Sequence, residues 1–176
     1  MCRTCDRAER APREYLAHLQ DVIAARGWAS IGVERSRLHP PVTYSVGLTG
    51  HGQPEVVVTG LPIPFATQLL DVVAARVLRA GAPLPGERVM LPSGTPIEIV
   101  KVADATARLK VAAEVFGPGI QALQAVHADD RGHWPWDARY RGIPGGQPIL
   151  GLRQPAPAGT LPRVHRLFPI TPPPRS

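Results

Sequence analysis

The sequence predicts an α+β fold, a single domain in which a mixed or antiparallel sheet carries two main helices and is followed by a disordered C-terminal tail. Three observations lead there. Residues 12–26 and 64–80 repeat apolar side chains at helical spacing. Between and after them stand short β-branched runs that follow one another without a helix between each pair, which favours an antiparallel or mixed sheet over a doubly wound parallel one. Composition is the third: 44% apolar and 19% charged residues in 176 are the proportions of a globular chain with room for one core.

In the first helical segment, Tyr15, Leu16, Leu19, Val22 and Ile23 share one face, Pro12 suits the first turn and Gly27 is a stop. Trp28 to Val33 then turns β-like, and after the loop SRLHPP the run VTYSVGL is rich in β-branched and aromatic residues. A linker containing Gly50 and Gly52 leads to PEVVVTGL, a nearly continuous apolar run of strand length. The two runs are expected to be buried neighbours, paired as a hairpin. Residues 64–80 place Phe65, Leu69, Leu70, Val73, Val77 and Leu78 at helical spacing before Gly81. GERVMLPSGTPIEIVKV reads as strand, Ser-Gly turn, strand, and IQALQAVHA as the last strand. Residues 110–116 fit either helix or strand. The domain plan is an N-terminal segment over 1–11, a globular domain over 12–151 and a tail over 152–176.

Net charge is +6 and the pI about 10.1, and the excess is uneven. Residues 152–176 hold Arg153, Arg163, Arg166 and Arg175 and no acidic residue, leaving 16 basic against 14 acidic residues before them. Seven prolines in the same stretch oppose a packed element, so it is expected to be extended and mobile. A basic arm of this kind lies along phosphates, which makes the four arginines candidate nucleic-acid contacts; a solvated tail with no specific task is the bland alternative. No apolar run approaches the roughly 20 residues that span a bilayer, and the charged N-terminus lacks the form of a secretory signal. A cytoplasmic protein is expected.

Both cysteines, Cys2 and Cys5, stand at Cys-x-x-Cys spacing, which lets two thiolates reach one Zn²⁺ ion. Two further ligands are needed. His39, in a Pro-flanked loop, and His51 are the best placed, followed by His127 and His133, with Asp6 or a partner chain in a homo-oligomer as other sources. A site so completed binds less tightly than a closed four-thiolate cage, which suits a sensor. A redox pair is the competing reading, but no strand can precede residue 2 as a thioredoxin-type motif requires. For His127, at the end of an apolar strand, a hydrogen-bonded packing role outweighs ligation.

DDRGHWPWD combines Asp129, Asp130 and Asp137 with Trp134 and Trp136. The favoured reading is a turn shaped by Asp130 and Gly132, with the indoles covering the core's edge. Trp134 and Trp136 are also candidate anchors for a protein partner, because tryptophan is enriched at interface hot spots. An enzymatic alternative places a metal-assisted hydrolase, or a small-ligand site without chemistry, in a crevice lined by Tyr44, His51, Glu55 and this turn. No Gly-x-Ser-x-Gly elbow, metal-binding helix motif or phosphate-binding loop is present in the sequence.

Three segments together, YSVGLTGHGQPEVVVTGLP, ALQAVHADDRGHWPWD and GGQPILG, resemble the bacterial domain-of-unknown-function family numbered 4262 across roughly residues 2–151. Tyr44, Gly47, Leu48, Pro54, Glu55, Gly60, Leu61, Pro62, Leu123, Gln124, Asp130, Gly132, Pro135, Trp136 and Asp137 match its pattern. Two positions depart: His51 is displaced from Pro54 by Gly52 and Gln53, and His127 stands where an aromatic residue is more usual. With its N-terminal Met-Cys-x-x-Cys, the chain is similar to actinobacterial proteins linked to zinc-dependent ribosome hibernation. That resemblance implies a non-enzymatic, zinc-responsive adaptor that recruits a hibernation factor to the small ribosomal subunit and contacts rRNA.

Overall fold

Residues 13–36, 39–142 and 146–156 are described by a computed structural model. Helix α1 (Arg13–Arg26) ends where the Gly27 N–H donates to Ile23 O at 2.7 Å, and β1 (Ala29–Val33) follows. Next come β2 (Val42–Val46), a single 3₁₀ turn (Leu48–His51), β3 (Glu55–Thr59) and the long helix α2 (Ile63–Ala80). Then β4 (Arg88–Met90), β5 (Pro96–Lys101), the short helices α3 (Ala105–Arg108) and α4 (Lys110–Phe116), and β6 (Ala122–His127) complete the order.

The strands form one six-stranded sheet in the order β1-β2-β3-β6-β5-β4. Every neighbouring pair is antiparallel except β3 with β6, where Glu55 faces Ala122 and Val57 faces Gln124. The predicted α+β class, mixed sheet, two main helices and β2-β3 hairpin are therefore all observed. The undecided segment 110–116 is helical, with Ala112 buried against the sheet.

Two cores explain why the central strands are apolar on both faces. On one side, Leu70, Val73, Ala74 and Val77 of α2 pack on Val56, Val58, Leu123, Ala125, Ile97 and Ile99. On the other, Leu19 of α1 and Leu109 and Ala112 of the α3-α4 region cover Tyr44, Val46, Val57 and Ala122. Helices on both faces leave β3 buried at all five residues, which is the physical meaning of the unbroken run EVVVT. Along α1, Leu19 alone is fully buried and Tyr15 is 40% exposed, so the first part of its apolar face lies open.

Residues 146–156 cross the face opposite α2 as a strap. Gln124 fixes it from the sheet, its Nε2 donating to Pro148 O at 2.8 Å and its Oε1 accepting from Leu150 N at 2.7 Å. Gln147 completes the attachment, exchanging hydrogen bonds of 2.9 Å with the His127 N–H and carbonyl. At Gly151 a Cβ would overlap Lys101 O, so the close crossing requires glycine there. Residues 152–156, placed in the tail by composition, lie beyond this crossing, and Arg153 of that stretch pairs with Glu98 of the sheet.

Candidate functional site

The best-defined polar constellation stands at the C-terminal end of β6, where the chain leaves the sheet into the DDRGHWPWD turn. Asp129 organises the turn. Its Oδ1 accepts from the Arg131 N–H at 3.0 Å and the His133 N–H at 2.7 Å, while Oδ2 accepts from the Arg141 N–H at 3.0 Å. His133 Nδ1 lies 3.3 Å from the same oxygen. Sequence reasoning gave this shaping role to Asp130 and Gly132. Gly132 has it, at φ +81°, whereas Asp130 is exposed and the carboxylate that binds the backbone is Asp129. A second carboxylate, Asp137, accepts from the Trp134 N–H at 2.7 Å.

Desolvation raises the Asp129 carboxyl, but the amides of Arg141, His133 and Arg131, with the His133 charge, outweigh it and hold the group at about 2. Since the folded value lies below the unfolded one, near 3.9, this contribution to stability is present above about pH 4 and lost as pH falls towards 2. A carbon-detected NMR titration is expected to show Asp129 still ionised at pH 3; a midpoint near 4 would mean that the amides do not hold it.

Trp134 and Trp136 stack with centroids 5.3 Å apart and planes 3° from parallel. The Arg88 guanidinium lies 4.8 Å from the Trp134 ring centre and that of Arg153 lies 3.6 Å from Trp136. Both converge on the buried Glu98: Arg88 Nε donates at 3.0 Å, and Arg153 Nε and Nη2 at 2.8 and 3.2 Å. Of the two candidate partner anchors, Trp134 is the more deeply buried. It is 8% exposed and packs with Val100, Val126 and Ala128, so it closes a satellite core, while Trp136 keeps partial exposure. Arg153, expected as a free nucleic-acid contact, has its Nε edge committed to Glu98. Glu98 and Gln147 are not singled out from sequence, and Gln124 only as a match to the family pattern. The available signal was a polar residue at an inward position of an apolar strand, visible for Glu98 in PIEIV and for Gln124 in ALQAV.

On the α2 side of the same strand end, His127 lines a groove of about 520 Å³ between the first half of α2 and the β4-β5 turn. Leu61, Phe65, Leu69 and Leu91 supply apolar walls, and Phe65 is 63% exposed. His127 itself is 9% exposed and its Nε2 has no hydrogen-bond partner. Burial pushes the imidazole below its ordinary value, against smaller opposing pulls from the Ala128 and Thr59 backbone.

The other predicted site residues are spread across the fold. His39 precedes β2, and His51 ends the 3₁₀ turn that follows it. Both are exposed, at opposite ends of β2. No group of three or more His, Cys, Asp or Glu side chains with metal-binding geometry occurs among the described residues. Cys2, Cys5, Arg163, Arg166 and Arg175 lie outside the described residues.

The proposed crevice joining His51, Glu55 and the turn is not assembled either. Glu55 opens β3 opposite Ala122, and His127 lies five residues further along β6, about 16 Å at roughly 3.3 Å per residue. Glu55 is fully buried, accepting from Ser45 Oγ at 2.6 Å and from the Gly47 and Thr49 N–H groups at 3.0 Å. Burial pushes the Tyr44 phenol up, partly offset by a hydrogen bond with the Val111 backbone, so this hydroxyl too is engaged.

Fold and turn together define a three-layer α+β protein built on a six-stranded mixed sheet. The chain belongs to the family described as Domain of unknown function (DUF4262), whose model matches residues 22–141. No match was found among curated proteins or among solved structures. Among the described residues, no helix is long and apolar enough to cross a membrane.

Proposed function

We propose that the protein is a non-enzymatic, zinc-responsive adaptor that acts at the small ribosomal subunit, where it recruits a hibernation factor and contacts rRNA. The observation that supports this most is the use of the body's polar side chains. Glu55, Gln124, Gln147, Asp129 and Asp137 all bind main-chain groups. A body held this way is a rigid carrier for what is attached at either end. Cys2 and Cys5 form the metal clasp at one end. His39 and His51 complete it, with Asp6 or a partner chain as other sources of ligands. At the other end Arg163, Arg166 and Arg175 contact rRNA phosphates, while Arg153 stays on the body with Glu98.

Cosedimentation with ribosomes over a salt series tests the arm. Each phosphate neutralised releases counterions, so association weakens steeply with salt, and truncation after Ala156 is expected to flatten the logarithmic slope by about 2 to 3. The cut preserves the strap and the Arg153-Glu98 pair, so a lost slope reports on the arm and not on the body. Equal slopes for the two chains would remove the arm from the mechanism.

A further inference from the structure

We propose that Arg88 and Arg153, held together on Glu98, form a seat on the body that takes one phosphodiester of a single RNA strand. This seat deepens the RNA-contact reading above, on which it rests, by adding a contact made by the sheet itself ahead of the arm.

The sheet edge and the strap build the seat between them. Arg88 of β4 stands opposite Glu98 of β5 in antiparallel register, so the two side chains share a face, and the strap brings Arg153 to the same carboxylate. Glu98 is 2% exposed, and a carboxylate so buried needs a cation beside it. One guanidinium would meet that need. Two are present, which leaves the cluster with an unbalanced positive charge. Each guanidinium has five N–H groups. Arg88 commits one of them to Glu98 and Arg153 commits two, and neither side chain makes a further hydrogen bond among the described residues. With each Nε tied inward, the 49% and 41% of side-chain surface that stay exposed fall on the outer Nη groups. Both arginines line one cavity of about 270 Å³, in which Glu98 is the sole acidic residue and Gly86, Gln154 and Pro155 supply backbone.

The forks are fixed before any ligand arrives. Arg88 lies 4.8 Å from the Trp134 ring centre and Arg153 3.6 Å from that of Trp136, and the two indoles stack on each other. A guanidinium held by both a carboxylate and an aromatic face loses little freedom on binding, and two such forks suit the two unesterified oxygens of a phosphodiester. Charge selects among anions. A phosphodiester is a monoanion and neutralises the excess, whereas a dianionic phosphate would leave a net negative charge beside the buried Glu98. A lone carboxylate has the same charge as a diester, but the chain runs on from the seat into residues 157–176, which carry Arg163, Arg166 and Arg175 and no acidic residue. The occupant that suits the seat and that stretch together is a repeating monoanion, the backbone of a nucleic-acid strand.

Fluorescence anisotropy with a single-stranded RNA of about 15 nucleotides, over a salt series on the full chain, tests the seat. Arg88→Gln is expected to weaken binding about fivefold at low salt and to lower the logarithmic salt slope by about 0.7, the value for one phosphate contact on a single strand. Arg88→Lys restores the charge and is expected to keep the slope. Arg13→Gln removes the same charge from α1, at the β1 end of the sheet, and should leave the slope unchanged. Truncation after Ala156 tests the arm by itself: a slope that falls on truncation but not in Arg88→Gln overturns the seat alone, and the reverse supports the seat and contradicts the arm. Should Arg88→Gln not fold, nitrogen-15 NMR of the unaltered protein decides. RNA is expected to move the Nε resonances of Arg88 and Arg153 together. No movement would overturn the seat, and saturation of the same shifts by submillimolar inorganic phosphate would assign it to the free ion and overturn the RNA assignment.

Discussion

Glu55→Ala is expected to cost about 4 kcal/mol of folding stability, enough to leave a marginal domain largely unfolded. The substitution strips three hydrogen bonds from a fully buried carboxylate and leaves the Gly47 and Thr49 N–H groups without an acceptor. Those amides belong to the link between β2 and β3, where Gly47 is held at φ +135° and a Cβ would stand 2.6 Å from Gly27 O. Losing the acceptor therefore loosens both the turn beneath Leu48 and its contact with the start of β1. Glu55→Gln retains an oxygen for the two amides and is expected to cost only about 1–2 kcal/mol. Urea unfolding of the two variants separates the readings, since a carboxylate held for chemistry would leave stability little changed in both. The same measurement bears on the hydrolase alternative, which needs this group free.

Gln124→Leu is expected to be the next most damaging change, at about 3 kcal/mol, because the replacement fills similar space but offers no polar atom. Leu150 N loses its sheet-side partner, Pro148 O keeps only the Thr59 hydroxyl, and Thr59 Oγ1 loses one of two contacts. The damage should be directional. Residues 146–156 are tied down chiefly through Gln124, Gln147 and the Glu98-Arg153 pair, so amide exchange at Leu150 should accelerate far more than at Val57 in the centre of β3. Uniform acceleration across the sheet would mean that the strap is not separately held.

Much of the fold was legible because its signals are local. PEVVVTGL reads as a strand covered on both faces, and α2 announces itself through six apolar residues at helical spacing. Lys110–Phe116 was not legible, because seven residues give too few turns to separate helical from alternating spacing. The parallel pairing of β3 with β6 joins segments 67 residues apart at Glu55 and Ala122, and no local pattern specifies it. Residues 152–156 read as tail from their prolines, yet the strap is anchored by Gln124 and Gln147 through backbone groups 20 to 26 residues away.

The candidate site follows the same division. The composition of DDRGHWPWD identified a turn and an aromatic cover, and both are present. Which aspartate shapes the turn depends on where its amides point, so Asp129 and Asp130 were indistinguishable in sequence. That His39 and His51 stand at opposite ends of β2 is not visible in residue type or loop composition. The groove above His127 required the first half of α2 and the β4-β5 turn to be placed first.

Ribosome cosedimentation of the full chain with zinc present and with zinc chelated, repeated on Cys2→Ser/Cys5→Ser, tests the central claim most directly. The adaptor account predicts that association of the unaltered chain follows zinc, and that the serine variant loses this response while its body stays folded. A serine variant that sediments with ribosomes as the unaltered chain does, with the same dependence on zinc, would contradict it.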